Sequence, residues 1–357
     1  MKALTYEPPQ KTVFTTTRPL PALRPGYLLV RTRAVALNPT DWKHVAGDLP
    51  APGSLLGVDY AGTIEAIGPE VTQPFQVGDR VVGFVHGGNR SQTEDGAFAE
   101  YIVAKASLQA KVPEGMGWAE AASLGTGLMT VGQGLFEGEK GFGLGLRFPG
   151  EKEEKEGGGE KEAVLVHGGS TATGSLGVQI AKAAGYRVLT TCSPHNIPLL
   201  QARGITEIYD YRDPECGAKI RAATDNKLRY AWDCVGGDAS YKICAEALTS
   251  EPNVGKFSSI AGREFAGARS DIEHGFTLGY MALGEDFEKV GRVFSGNEKH
   301  RVFQERWLPV AWGLVERRVV KSHPVRVGEG GLEGVEEGMR VMKEGGVSGE
   351  KLVYLVE

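Results

Sequence analysis

The run His167-Gly168-Gly169-Ser170-Thr171-Ala172-Thr173-Gly174-Ser175-Leu176-Gly177 follows the apolar segment Ala163 to His167 and opens a helical pattern. Strand, glycine-rich turn and helix in that order suit a dinucleotide. Its pyrophosphate sits at a helix N-terminus, against unpaired N–H groups and the positive end of the dipole. Glycine lets the backbone approach the phosphates closely. Thr171 and Ala172 stand where further glycines are expected, and the hydroxyls of Ser170, Thr171 and Thr173 can donate to phosphate oxygens instead. Ser170, Thr171, Ala172, Thr173 and Gly174 are therefore candidate cofactor residues, with a purely structural turn as the alternative.

The next strand discriminates between cofactors. A site for NAD usually ends this strand with Asp or Glu, which bonds the ribose 2′-hydroxyl. Here it ends Leu189-Thr190-Thr191-Cys192-Ser193-Pro194-His195-Asn196, without a carboxylate. Ser193, His195 and Asn196 can hydrogen-bond a 2′-phosphate, and no negative charge repels one. Pro194 shapes the turn, and Lys182 and Tyr211 can approach from neighbouring elements. The pattern favours NADPH; a turn and helix cap with no ligand is the alternative. Ile260 and Ala261, closing a later strand, complete the cofactor candidates of this half.

These residues need elements to position them. From Ala163 onward, strands alternate with helices. Helix 177–184 has a C-cap at Gly185, and strands follow at 187–191, 207–209, 228–234 and 256–261, with a helix at 197–202. That alternation predicts βαβ units and a doubly wound parallel sheet. Residues 1–125 instead carry short strands with frequent Gly and Pro, at 27–35, 61–67, 79–84 and 97–103, which predict a compact, mainly antiparallel barrel-like domain. The expected α/β architecture is a first domain over 1–125 and a dinucleotide-binding domain over 126–310. The segment 311–357, with strands at 319–320 and 351–356, returns to the first domain. The Gly/Glu/Lys-rich stretch 137–162 reads as a solvated loop, with a contact surface for a partner protein as the alternative.

The bulk numbers exclude some classes. The chain has 357 residues and a net charge of −5, which argues against nucleic acid or an anionic membrane as the main partner. No apolar run reaches membrane-spanning length, and the N-terminus MKALTYEPPQ shows no signal peptide. The four cysteines, Cys192, Cys216, Cys234 and Cys244, lack metal-ligand spacing, so a cytoplasmic protein with reduced thiols is expected.

Asn38-Pro39-Thr40-Asp41-Trp42-Lys43, Gly57-Val58-Asp59-Tyr60-Ala61-Gly62, Val77-Gly78-Asp79-Arg80-Val81 and Gly349-Glu350-Lys351-Leu352-Val353 resemble the medium-chain dehydrogenases/reductases across the whole chain. The resemblance implies a GroES-like catalytic domain joined to a Rossmann domain. Zinc members carry Gly-His-Glu where this chain has Gly57-Val58-Asp59, a Cys near the position of Asp41, and mostly a four-Cys lobe. With none of these present, no metal is expected. Substrates already electrophilic at carbon become the expectation. Within the zinc-free branch, Ser170 to Gly174, Ser193 to Asn196, Tyr209-Asp210-Tyr211-Arg212-Asp213, Thr277-Leu278-Gly279-Tyr280 and His323-Pro324-Val325 resemble fungal trans-acting enoyl reductases, the lovastatin-type partners of polyketide synthases.

That resemblance implies NADPH-dependent reduction of an α,β-unsaturated acyl thioester on the carrier protein of a partner synthase, by a monomeric enzyme. It places Pro39, Thr40, Asp41, Trp42 and Lys43 beside the nicotinamide. Lys43 becomes a candidate catalytic group for the thioester carbonyl or a proton relay, an exposed helix lysine being the alternative. Thr126 is a second catalytic candidate. Met129, Thr130, Val131 and Gly132 line the acyl tunnel, or serve helix packing. Phe276, Thr277, Leu278, Gly279 and Tyr280 cover the acyl chain, or belong to the core. Ser348 and Gly349 touch the cofactor. A free quinone or enone as substrate, and a non-catalytic cofactor-binding protein, are the competing functions.

Overall fold

The computed structural model describes residues 1–151 and 161–357. The chain opens with a hairpin of β1 (Ala3–Glu7) and β2 (Lys11–Thr15). Then come β3 (Tyr27–Ala36), α1 (Pro39–Ala46), β4 (Asp59–Ile67), β5 (Arg80–Phe84), β6 (Tyr101–Lys105) and β7 (Gln109–Lys111). In β3, buried residues alternate with half-buried ones before a fully buried end, the period-2 pattern of a strand covering a core on one face. Two register shifts along the β3–β4 pair, at Leu29/Val30 and Thr32/Ala34, bend the ladder; such irregularities increase local twist. Helices α2 (Trp118–Ala122) and α3 (Gly125–Val131) follow.

The second part of the chain is a six-stranded, wholly parallel sheet. It contains β8 (Ala163–His167), α4 (Ala172–Ala183), β9 (Arg187–Cys192), α5 (Ile197–Gln201), β10 (Glu207–Asp210), α6 (Cys216–Ala223), β11 (Tyr230–Asp233), α7 (Asp238–Ala247), β12 (Lys256–Ser259) and β13 (Glu273–Phe276). The strand order is β10-β9-β8-β11-β12-β13. In chain order that is 3-2-1-4-5-6, the Rossmann arrangement, with its switch between β8 and β11. Close approaches fix the helix packing. A Cβ on Gly134 or Gly177 would overlap the Trp232 indole, and one on Gly127 would overlap Leu176.

The chain then forms a small hairpin, β14 (Phe287–Lys289) and β15 (Arg292–Phe294), and the long α8 (Glu298–Glu316). Strand β16 (Val325–Gly328), α9 (Val335–Lys343) and β17 (Lys351–Leu355) close it. β17 pairs with β3, so the first sheet runs β16-β17-β3-β4-β5-β7, with β6 also on β3. Every pairing is antiparallel except β16–β17.

Packing groups residues 1–126, 280–309 and 322–357 into one unit, and 127–279 with 310–321 into the other. The boundary expected at residue 310 is thus corrected at two places. Tyr280 to Pro309 belong to the first unit, because Tyr280 and Phe287 bury their rings against Phe84 and His86. Val310 to Lys321 stay with the second unit, where the Gln179 side chain bonds both the N–H and the carbonyl of Lys321. Other expectations shift more modestly. Helix 177–184 begins five residues earlier, at Ala172. Strand 97–103 is regular only from Tyr101, with an isolated bridge at Ala99. Residues 319–320 form no strand, the next strand being Val325–Gly328, and the strand expected at 351–356 is Lys351–Leu355.

The stretch 137–151, expected as solvated loop, packs instead. Leu144 and Leu146 are buried, and the Phe142 carbonyl accepts from Ser258 Oγ. Residues 152–160 of the expected loop lie outside the described residues. No helix of the described residues is long and apolar enough to cross a membrane.

Candidate active site

In the second unit the functional turn begins where β8 ends. Gly168 has φ of +78°, a left-handed conformation that favours glycine. A Cβ on Gly169 would sit 2.1 Å from Thr190 Oγ1, so the turn lies tight against β9. Thr171 is the N-cap of α4; its Oγ1 accepts from the Gly174 N–H at 2.9 Å. The Thr171 hydroxyl is therefore committed as an acceptor, while its own hydrogen remains to donate. His167 Nδ1 lies 2.9 Å from Thr191 Oγ1, which accepts from the Gly168 N–H. Burial pushes the His167 imidazole pKa down, towards the neutral form. This clamp holds the start of the turn without adding charge to it.

The sequence-predicted cofactor residues converge at the C-terminal ends of these strands, the crevice where open α/β sheets bind ligands. Asn196 Nδ2 donates to Ser170 Oγ at 3.3 Å, joining the two turns. Ser193 Oγ donates to Tyr211 Oη at 3.1 Å, joining the ends of β9 and β10. Pro194 and His195 are exposed on the same short turn. Ile260 and Ala261 continue from β12, with the Ile260 N–H bonded to the Asp233 carbonyl. Thr277 follows β13 and is buried, with no hydrogen-bond partner for its hydroxyl. These residues fit a dinucleotide: a glycine turn, a helix N-terminus and a rim of neutral donors.

Lys182 is a correction. It lies in the last turn of α4, at the far end of a helix rising about 1.5 Å per residue. Its Nζ bonds the Gly204 carbonyl at 2.7 Å, so it caps the α5 turn rather than reaching the β9 end. Met129, Val131 and Gly132 are buried, and Thr130 is half-buried, as α3 passes into one wide π-turn over Gly132–Phe136. Phe276 lies against Gly262, and its ring centroid is 5.5 Å from that of Phe142.

The first unit holds a buried polar network that no motif announced. Lys351 Nζ is paired with Asp59 Oδ2, both being almost fully buried. Asn38 Nδ2 donates to the same Asp59 oxygen at 2.9 Å, and Lys351 also reaches Asn38 Oδ1 and the Ser123 carbonyl. Asp59 Oδ1 accepts from the Thr126 N–H at 2.6 Å. Four distant segments thus meet on one ion pair. Its products are the placement of Thr126, whose buried hydroxyl has no partner, and of the turn into α1. Asp41 sits in that turn. Its Oδ2 accepts from the Asn38 N–H, and its Oδ1 is buried without a partner. Burial, reinforced by Asp59, pushes the Asp41 carboxyl pKa up to about 8, so it is mainly protonated at neutral pH.

Along α1, Pro39 and Lys43 are exposed and Thr40 and Trp42 half-buried. The Lys43 ammonium lies 5.7 Å from the Trp42 ring centroid. Ser348 and Gly349 precede β17, two positions before the buried Lys351. Thr40 faces a second cluster that sequence reasoning missed, formed by His44, Tyr280 and Lys289. Its one sequence signal was His44 standing four residues after Thr40, on the same helix face. Among the described residues no group of His, Cys, Asp or Glu side chains is arranged to hold a metal ion.

Two family models match the chain: the alcohol dehydrogenase GroES-like domain over residues 24–114 and the zinc-binding dehydrogenase over 172–281. A trans-enoyl reductase of Aspergillus sclerotiorum is 40% identical across 100% of both chains. The chain belongs to the trans-enoyl reductase family. A second such reductase, from Alternaria alternata, is 41% identical over 95% of this chain and 94% of its own. A third, from Cochliobolus carbonum, is 43% identical over 82% and 94%. Among solved structures, the CurK enoyl reductase superposes with a TM-score of 0.70 at 20% identity, covering 99% of this chain and 98% of that one. A Pseudomonas syringae quinone oxidoreductase gives 0.73 at 21%, covering 99% of each. At such identities the structures speak for fold alone. Membership in this branch of the medium-chain dehydrogenases/reductases implies a nicotinamide cofactor.

Proposed function

We propose that the protein is an NADPH-dependent enoyl reductase that acts in trans on an α,β-unsaturated acyl thioester carried by a partner polyketide or polyketide–peptide synthase. The observation that carries this reading is the end-to-end 40% identity to a trans-enoyl reductase. NADPH rests on the β9 terminus. Ser193 and Tyr211 offer paired hydroxyls there, and no carboxylate of that strand end opposes a 2′-phosphate. When bound, the nicotinamide supplies a hydride to the β-carbon.

The chain's own residues do the rest. The Gly168–Gly174 turn and the α4 N-terminus cradle the phosphates. Ser193, Pro194, His195, Asn196 and Tyr211 receive the ribose phosphate. Thr126, fixed through its N–H by Asp59, presents its hydroxyl near the nicotinamide and substrate. Ser348 and Gly349, just ahead of β17, touch the bound cofactor. The acyl chain runs along Met129, Thr130, Val131 and Gly132 and under Phe276 to Tyr280. We also propose that the protein is a cytoplasmic monomer.

Crotonyl-pantetheine and a set of quinones, each assayed with NADPH and with NADH, test this. Turnover of the thioester with NADPH is expected. Efficient quinone reduction without thioester turnover would overturn the assignment.

A further inference from the structure

His44 Nε2 collects an unusual set of neighbours. Thr40 Oγ1 lies 3.1 Å from it and Tyr280 Oη 3.3 Å, and the two hydroxyls are 3.1 Å from each other. The Lys289 ammonium, at the end of β14, bonds the same nitrogen and stands 4.4 Å from the Tyr280 ring centroid. His86 stacks on the Tyr280 ring at 3.8 Å, and Phe287 meets His86 edge-on. His44 also hydrogen-bonds the Gly87 backbone, with Nδ1 facing the Gly87–Gly88 turn. A ring N–H given to Gly87 leaves Nε2 as a lone-pair acceptor. The Lys289 ammonium donates to that lone pair, and the Thr40 and Tyr280 hydroxyls lie within hydrogen-bond distance of it and of each other; among the described residues no carboxylate pairs with Lys289.

We propose that Lys289 is the cation that stabilises the thioester enolate and protonates its α-carbon. Tyr280 and Thr40 act as companion hydrogen-bond donors, and neutral His44 is the positioning residue that aims the ammonium. This rests on the enoyl-reductase reading above. Hydride from NADPH forms the new C–H bond at the β-carbon, and the C=C electron pair moves onto the thioester oxygen as the enolate. Ammonium and hydroxyl groups placed where that charge develops lower the barrier. The α-carbon then takes a proton from Lys289 Nζ and the carbonyl re-forms. The neutral amine regains a proton from water, Lys289 being only partly buried.

The surroundings suit that role. The ionisable groups facing Lys289 are His44 and, beyond it, Asp41 on α1, His86 after β5, and Tyr280; its neighbour Glu288 is engaged with Arg90. Burial pushes the Lys289 pKa down to about 8, and burial with Lys289 beside it pushes His44 down to about 3. At neutral pH the lysine is charged but releases its proton readily, and the histidine stays a neutral acceptor.

The test uses the full chain with NADPH and crotonyl-pantetheine. Without wild-type turnover the functional reading itself fails. With turnover, Lys289→Met is expected to lower kcat about 100-fold or more, while NADPH binding by fluorescence and the melting temperature stay near wild type. Lys289→Arg is expected to keep more activity and to shift upward the alkaline limb that wild type shows near pH 8. Independently of activity, trinitrobenzenesulfonate at pH 8 should label Lys289 ahead of surface lysines in peptide mass spectra. Butyryl-pantetheine should protect it. Unchanged kcat and alkaline limb in Lys289→Met would overturn the proposal. So would labelling of wild-type Lys289 that saturating butyryl-pantetheine does not slow, a result that stands even if the methionine variant misfolds.

Discussion

Asp59 and Lys351 are 292 positions apart in the chain and form one buried ion pair. The pair draws Asn38, Ser123 and Thr126 onto itself, so the start of α1, the start of α3 and β17 share a single electrostatic anchor. Breaking a buried pair by removing one partner leaves an uncompensated charge and costs about 3–5 kcal/mol. Lys351→Met and Asp59→Asn are each expected to lose stability on that order in urea titrations. The double variant is expected to recover part of the loss. Single variants with wild-type midpoints would show that the pair is not the anchor.

Asp41 supplies a pH dependence. Its folded pKa, about 8, lies above the ordinary 3.8 of the unfolded chain because burial disfavours the charged form. Between those values the folded state holds a proton that the unfolded state has released, so this contribution falls as pH rises, by at most about 1.4 kcal/mol per unit. It is fully present below pH 3.8 and gone above about pH 8. Asp41→Asn is expected to flatten the decline across that window in chemical denaturation at several pH values. A slope identical to wild type would refute the assignment.

Ser193 is the simplest probe of cofactor choice. A carboxylate at this position would face a 2′-phosphate and accept from a 2′-hydroxyl. Ser193→Asp is expected to raise the Kd for NADPH at least tenfold more than that for NADH. Equal effects on the two would place Ser193 outside the ribose pocket.

Gly174 tests the turn. A Cβ there would sit 2.2 Å from the Gly168 carbonyl oxygen and 2.9 Å from Thr171 Oγ1. Backbone cannot yield as a flexible side chain does, so Gly174→Ala is expected to displace the turn and weaken dinucleotide binding more than tenfold. Thr171→Ala removes the N-cap bond and one hydroxyl that can donate to a phosphate oxygen, but it introduces no clash. It is expected to cost about 1 kcal/mol and leave the turn in place. Isothermal titration of both variants with NADPH separates the two effects, and equal losses would argue against the steric account.

The dinucleotide half was readable because its signals are local. A buried apolar strand, a glycine turn and a helix cap lie within about twenty consecutive residues around Gly168, and βαβ alternation specifies a parallel sheet. Ser193, Asn196 and Ser170 were singled out by residue type, and the strand order brings them together. Lys182 misled because its charge alone suggested a phosphate partner, whereas in a βαβ unit the last turn of α4 lies at the edge of the sheet where β9 begins, away from the β9 terminus. Residues 319–320 misled because two valines suffice for a strand pattern, whereas Val320 is buried in a turn.

Fold class, the glycine turn and the neutral end of β9 follow from the order and spacing of residues, since short-range patterning dictates them. The partners of charge do not. Lys43 stands beside Thr40 in sequence yet lies on the exposed face of α1. Lys289, 249 positions after Thr40 by residue number, is carried by the β14 hairpin to His44 on the same helix. Lys351 likewise reaches Asp59 because β17 closes against β3, three strands of the sheet placing two charges in one low-dielectric pocket. Which lysine is buried, and against what, is decided by packing, because burial and pairing are properties of the folded surroundings and not of the residue.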